Sequence, residues 1–460
     1  MNSRAAKVNI FLVVTQLALV GMIALQWLEF GSKKGNWAFQ YFIKEIYLEP
    51  FILVVLLAPI VLALAYLSLK LVDRPQAEFI LLVLWVILST LFQNAFRTFY
   101  PISFREIIVS DAANSFFTPT LRYSLYQFTK HFHELVPQMP LHVKTNMPGK
   151  TIFYFLLTSV ANDPQAIGQI ITLLSNAGGI LLYWVTKQLL GTKGMAFQAF
   201  LLYLFIPARL FFFPLLNTIS PLFILADLSL FLLFLNSRKL IFAFALGLFL
   251  YLTFMFDPLT LTTGIVFVGI LPRYWARNKP TWRECAVMVS CVILGFALLH
   301  FGVLLFLGLD SLRAFVFVSA DLRHFFAVAG RAYSIWLVHN LKEFFIAAGL
   351  PLSVLFLLDV ASLVNRRQSK TSTEVAAGAL PPVGGAVVAI SLLVLVIVLD
   401  ALGVNRGEVS RLWIFVAALL PITAVDCLSK LETKTPFYVC LGGLLLQGVI
   451  TISAVAFVIP

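Results

Sequence analysis

The sequence predicts an all-α fold, a polytopic bundle of about thirteen transmembrane helices. Three observations lead there. Of 460 residues 60% are hydrophobic and 12% charged, with a mean hydropathy of +0.95, more apolar surface than a soluble core of this length can hide. Apolar runs repeatedly reach the roughly 20 residues that cross a bilayer as helix. Those runs are unbroken, whereas a membrane β-barrel alternates apolar and polar residues.

Taken in order, the spans fall near residues 9–28, 51–71, 78–97, 165–187, 194–212, 218–236, 239–256, 258–272, 285–308, 340–363, 384–402, 410–427 and 436–459. The first follows the basic "MNSRAAKVN" and lacks a small-x-small cleavage site, so it reads as a retained span and not a signal peptide. A cytoplasmic N-terminus puts the short basic connectors "KLVDRPQ", "KQLLGTK", "NSRK", "PRYWARNKPTWR", "NRRQSKTST" and "SKLETK" inside, as the positive-inside rule requires. Residues 98–164, 309–339 and the turn 402–411 are then outside, on a multi-pass protein of the cell membrane.

Two outer segments read as interfacial helices. Residues 34–48 mix aromatics with Lys and Glu at helical spacing, and residues 149–162 are too short to span and end at an "NDP" breaker. The Ser/Thr/Ala/Pro-rich stretch 365–383 reads as a cytosolic linker joining a membrane module, 1–364, to a C-terminal transmembrane bundle, 384–460. The net charge of +12 suits basic loops on anionic headgroups, and no nucleic-acid-binding module is visible. Cys285, Cys291, Cys427 and Cys440 fall in spans or at cytosolic ends, with no CxxC or Cys/His pair, so neither disulfides nor a zinc site is expected.

The chemistry-bearing residues concentrate in the first large outer segment. It holds Asp111 near its start, then His131, His133, His142 and Asn146, a Pro148-Gly149 turn and Lys150. "SDAANSFF", "HVKTNMPGKTIFYFLL" and "ILLYWVTKQLLGTKG", with the late "GVNRGEVSRLWIF", carry a resemblance. The arrangement resembles the GT-C superfamily of integral-membrane glycosyltransferases, of the protein O-mannosyltransferase and aminoarabinose transferase type. The resemblance covers roughly residues 98–270 and, more weakly, 402–415. It departs where Asn146 and Met147 replace a His-Pro, where extra spans precede the acidic segment, and where the acid is single instead of paired.

The resemblance implies an inverting glycosyltransferase that moves a sugar from a polyprenyl-phosphate donor to a lipid-linked, cell-wall or protein acceptor at the outer face. A carboxylate over the membrane is correctly placed as general base for an acceptor hydroxyl, and Arg and Lys suit the departing phosphate. Asp111 is expected as the base, unless it serves only to cap a loop helix. Lys150, His142 and Asn146 at the Pro-Gly turn are expected on the donor phosphate or acceptor, and Arg122 and Tyr123 beside the acceptor cleft.

Arg406, Glu408 and Arg411 form a second cluster: Arg411 suits a phosphate or pyrophosphate, or else pairs with Glu408 at i,i+3. Asn217 and Asp257 read first as turn residues before helices, and Asp227 and Asp400 as buried acids in need of partners. H-x-H at His131 and His133 lacks a third ligand, so no metal set is assigned and a divalent cation stays optional. A secondary transporter or lipid flippase is the alternative, set back by the lack of clear repeats and by polar residues gathered in a loop.

Overall fold

The computed structural model describes residues 4–42, 48–99, 102–365 and 385–457. It is helical almost throughout. Among the described residues nine helices are long and apolar enough to cross a membrane: Arg4–Ala24, Ile52–Leu71, Pro75–Arg97, Pro164–Leu190, Leu216–Ser237, Pro258–Ala276, Trp282–Leu307, Gly385–Leu402 and Thr435–Ala454. A tenth is Tyr333–Ala347 with Leu350–Leu363, if the two count as one span bent by 109°. The linker expected at 365–383 lies, apart from residue 365, outside the described residues.

The expected spans that do not run straight have local causes. The run 194–212 breaks into Lys193–Leu204 and Pro207–Phe212, where Pro207 opens the second helix at the position that needs no amide hydrogen. Arg209 Nη1 donates to the Tyr203 carbonyl at the break, at 2.6 Å. The bend between Tyr333–Ala347 and the helix from Leu350 sits at Gly349, whose φ of +100° suits only glycine. The run 410–427 is three short helices, Val409–Leu412, Ile414–Ala417 and Leu420–Ser429.

The helix expected over residues 34–48 is not formed in its described part. Gly31–Ser32 pairs antiparallel with Trp37–Ala38, and Gln40–Tyr41 pairs with Val455–Ala456. Gly31 and Asn36 both take left-handed backbone, which makes a turn and not a helix. The aromatics pack inward: Trp336 donates its indole hydrogen to the Gly35 carbonyl at 3.1 Å, and Phe39 sits against Phe212 and Phe457. Residues 43–47 lie outside the described residues.

Helices from both ends of the chain share one core. Thr435–Ala454 packs on Arg4–Ala24 and Leu48–Leu71, and Gly385–Leu402 packs on Gly264–Asn278 and Leu350–Asn365. A second hydrophobic cluster explains why the polar segment after the third helix is ordered. Phe116, Phe117, Phe128, Phe132 and Tyr154 pack there with Tyr251, Phe254 and Met255. Short capped helices carry that cluster. Ser103 and Glu106 form a capping box, which engages the Glu106 carboxylate.

The bundle has two chemically distinct ends. Glu78 opens the helix Pro75–Phe99 and pairs there with Lys187 and Lys193, at 2.7 and 2.6 Å. The same helix leads at its far end into the segment 104–160, a separation of about 30 Å at 1.5 Å per residue. Parts of the three segments expected on one side, 98–164, 309–339 and 402–411, do meet at one end of the molecule, around a single cavity.

Candidate functional site

The cavity has a volume of about 830 Å³. Its walls come from the short helix Leu141–Lys144 and the turn after it, the junction between Leu240–Phe256 and Pro258–Thr263, one face of Ser311–Val328, and residues 402–412. On Ser311–Val328 the lining residues Phe315, Val318, Leu322 and Phe326 recur at helical spacing, with Ser319 and Arg323 beside them. Leu402 and Val404 extend the apolar wall.

The polar wall begins at the Pro-Gly turn. A Cβ on Gly149 would stand 2.2 Å from the Met255 carbonyl oxygen, so only glycine lets the helix Gly149–Val160 seat its first turn against the end of Leu240–Phe256. That close approach puts Lys150 beside Asp257, the next polar residue of the facing chain. Lys150 Nζ lies 3.4 Å from Asp257 Oδ2 and donates to Asn146 Oδ1 at 2.8 Å. Burial pulls the Lys150 pKa down, and the Asp257 charge opposes it. Asn146 in turn donates to the His142 carbonyl at 3.0 Å, which fixes the amide to the helix before the turn.

A second cluster faces the first. Glu408 takes Arg331 Nη2 on one carboxylate oxygen at 3.0 Å and Arg411 Nη2 on the other at 2.5 Å. Its backbone is left-handed, φ 61°, a conformation that costs a non-glycine residue of order 1 kcal/mol and persists because the surroundings hold it. Burial pushes the Glu408 carboxyl up, but Arg411 and Arg331 outweigh it and hold the group below the usual carboxylate range. Arg331 and Arg406 exchange backbone contacts: Arg331 Nη1 donates to the Arg406 carbonyl at 2.9 Å, and Arg406 Nη1 to the Arg331 carbonyl at 3.1 Å.

A buried scaffold keeps this turn in place. Asn340 donates to Asp400 and to the Asn405 carbonyl, at 3.2 and 3.0 Å, and accepts from the Gly407 amide at 3.2 Å. Trp413 donates to Asn405 at 3.1 Å. Asp400 therefore finds its partner in Asn340, and Asp227 finds one in Thr253, whose hydroxyl donates at 2.6 Å.

The structure brings together His142, Asn146, Lys150, Arg406, Glu408 and Arg411 in one cavity wall. Glu408 is expected to touch substrate, but both its oxygens are engaged by guanidinium groups, so it holds cations in place. Asp111, Arg122 and Tyr123 are not part of the lining. Asp111 is exposed at the first position of Asp111–Asn114, where Ser110 and not Asp111 supplies the cap, and the Thr118 hydroxyl donates to its Oδ1. It stands one residue from Ala112, whose carbonyl accepts from His142 Nε2 of the cavity wall at 2.9 Å. Burial pulls the His142 pKa down to about 4, with Arg411 acting in the same direction, so the imidazole is neutral at pH 7.

Arg331 and Arg323 enter the lining unforeseen, and Asp257 becomes a site residue instead of a turn former. No local signal set Arg331 apart, because the same segment also carries Arg313 and Arg323. Its partner, Glu408, is 77 residues away in sequence. Among the described residues no three of His, Cys, Asp and Glu converge as a metal site requires, and His131 bonds Glu134 instead.

Compared with protein-family models, curated proteins and solved structures, the chain matches none of them. Its chemistry is therefore read from these side chains.

Proposed function

We propose that this is a glycosyltransferase of the GT-C type, which moves a sugar from a polyprenyl-phosphate donor to a glycan, lipid or protein hydroxyl at the extracytoplasmic face of the cell membrane. One observation carries the reading: a cavity with an apolar helix wall on one flank and a concentration of cations on the other, at one end of a bundle of apolar helices. That is the shape and charge of an amphipathic ligand, a prenyl chain with an anionic head. The apolar lining side chains of Ser311–Val328 suit the chain, and Lys150 and Arg411 lie where they can receive the phosphate.

The acceptor oxygen attacks the anomeric carbon as the bond from that carbon to the phosphate oxygen breaks, the electron pair leaving on the prenyl phosphate. Asp111 takes the acceptor's proton. It has one oxygen free of the Thr118 hydroxyl and is open to water, from which an acceptor arrives. Asp257 is less suited, because Lys150 already holds its carboxylate inside the cavity. Cations on the departing phosphate stabilise the charge that develops there, so no acid is needed to protonate it.

The test is transfer from a labelled polyprenyl-phosphate sugar by purified protein in lipid nanodiscs. Asp111→Asn is expected to lower turnover by about 10²-fold or more with an unchanged melting temperature. Wild-type turnover in that variant would remove Asp111 as the base, and loss in Asp257→Asn alone would move the role there. The bent pair Tyr333–Ala347 and Leu350–Leu363 favours a second reading, a lipid transporter or flippase, since broken helices mark many transporters. Movement of labelled lipid across proteoliposomes without sugar transfer would select it.

A further inference from the structure

The cavity holds more positive charge than one phosphate uses. Lys150, Arg323, Arg331, Arg406 and Arg411 line it against the carboxylates Asp257 and Glu408, five cations to two acids, an excess of three. A released prenyl monophosphate carries about two negative charges at neutral pH, and a prenyl diphosphate about one more. Neutral His142 adds nothing to the balance.

The donors are also incompletely used. Arg331, Arg406 and Arg411 each keep a buried Nε–H with no partner; both terminal nitrogens of Arg331 are bonded, while Arg406 is bonded through Nη1 and Arg411 through Nη2. Arg331 is 5% exposed, so this is a desolvated donor and not a surface charge. A buried unpaired donor of that kind costs stability unless a ligand completes it. Glu408, held between Arg331 and Arg411 with strained backbone, keeps two guanidinium planes in place and prevents their mutual repulsion before a ligand arrives. Lys150 stands as a separate cation, and a small annex of the cavity is lined by Lys150 and Arg411 together, so the two stations adjoin.

We infer that the site takes a diphosphate-linked donor, with one phosphoryl group at Lys150 and the second among Arg331, Arg406 and Arg411. This rests on the proposed sugar transfer and revises its donor from a prenyl monophosphate to a prenyl diphosphate. The bond from the anomeric carbon to the proximal phosphate oxygen breaks, the electron pair leaves on the prenyl diphosphate, and the acceptor's proton goes to Asp111. Arg331 and Arg406 are the residues that discriminate a diphosphate from a monophosphate. Their guanidinium groups suit adjacent phosphoryl oxygens better than lysine would.

The test compares farnesyl diphosphate with farnesyl phosphate for binding to the full-length protein in detergent, by calorimetry. The wild type is expected to bind the diphosphate about tenfold tighter, roughly one additional charge-assisted contact. In Arg331→Gln that ratio falls to near one. Arg406→Gln, which removes a half-buried group, gives the same direction of change if Arg331→Gln fails to fold. Equal affinities in the wild type, or a preference that persists in both variants, overturn the diphosphate assignment and leave sugar transfer standing. Binding of neither ligand overturns both.

Discussion

Glu408 shows how a residue can be essential to a site without touching its ligand. Its two oxygens hold Arg331 and Arg411, and neither guanidinium has another carboxylate within reach among the described residues. Glu408→Gln leaves those cations half-compensated, which costs about 2 kcal/mol of stability and scatters the phosphate-binding groups. Thermal melting and donor binding measured on the same variant check this, and unchanged values for both would contradict it. The contribution has a pH signature. The folded carboxyl lies below its usual value, so the stability is present above about pH 4.3 and is lost as pH falls through the lowered folded value.

His142 titrates in the same direction, here because burial disfavours its charged form. Its pKa falls to about 4 in the fold from about 6.5 in the unfolded chain, so the unfolded state binds more protons between those values. Stability is therefore full above pH 6.5 and declines as pH drops toward 4. Melting temperature should fall between pH 7 and pH 5, and His142→Gln should flatten that decline. A wild-type curve already flat over this range would exclude a buried neutral imidazole.

At the scale of elements, the helix Gly149–Val160 owes its position to one missing side chain. Gly149→Ala brings a methyl group 2.2 Å from the Met255 carbonyl, an overlap of backbone against backbone that only a shift of the helix relieves. The cost is about 1–3 kcal/mol. More telling is the consequence for Lys150 and Asp257, which separate when the helix shifts. Donor affinity in Gly149→Ala is expected to drop by about tenfold or more, read by titration with a prenyl phosphate. Wild-type affinity would show that the close approach is not what sets the site.

The helix 149–162 and most long spans were legible because apolar length and helix breakers are local signals. The helix expected at 34–48 was not, because composition shows aromatics and charges but not the left-handed turn at Gly31 and Asn36 that folds them onto Trp336. The breaks at Pro207 and Gly349 sit on a proline and a glycine, but many prolines and glycines in the chain lie within or beside straight spans, so these two did not stand out. An apolar run looks continuous whether a helix crosses it straight or turns inside it.

Across the whole molecule, the site is built by residues far apart in sequence. The motif "HVKTNMPGK" and the turn "VNRGEVSR" each marked a cationic cluster, but only folding shows that they face one another and that Arg331 joins them. The net +12 says how much positive charge the chain carries, and the two motifs mark where part of it sits, but not that the parts share one cavity. Asp111 is the residue that sequence pattern singled out most clearly, and folding leaves it one residue outside the cavity contact, at Ala112.

The central claim is that the cavity holds a prenyl chain along Ser311–Val328 with its phosphate among Lys150, Arg331 and Arg411. The most direct measurement is photocross-linking with a prenyl phosphate that carries a reactive group in its tail, on the protein in nanodiscs, mapped by mass spectrometry. The account predicts adducts on Phe315, Val318 or Leu322, displaced by unlabelled polyprenyl phosphate and reduced in Arg411→Gln. Adducts scattered over the other apolar helices, indifferent to competitor and to the loss of Arg411, would contradict it.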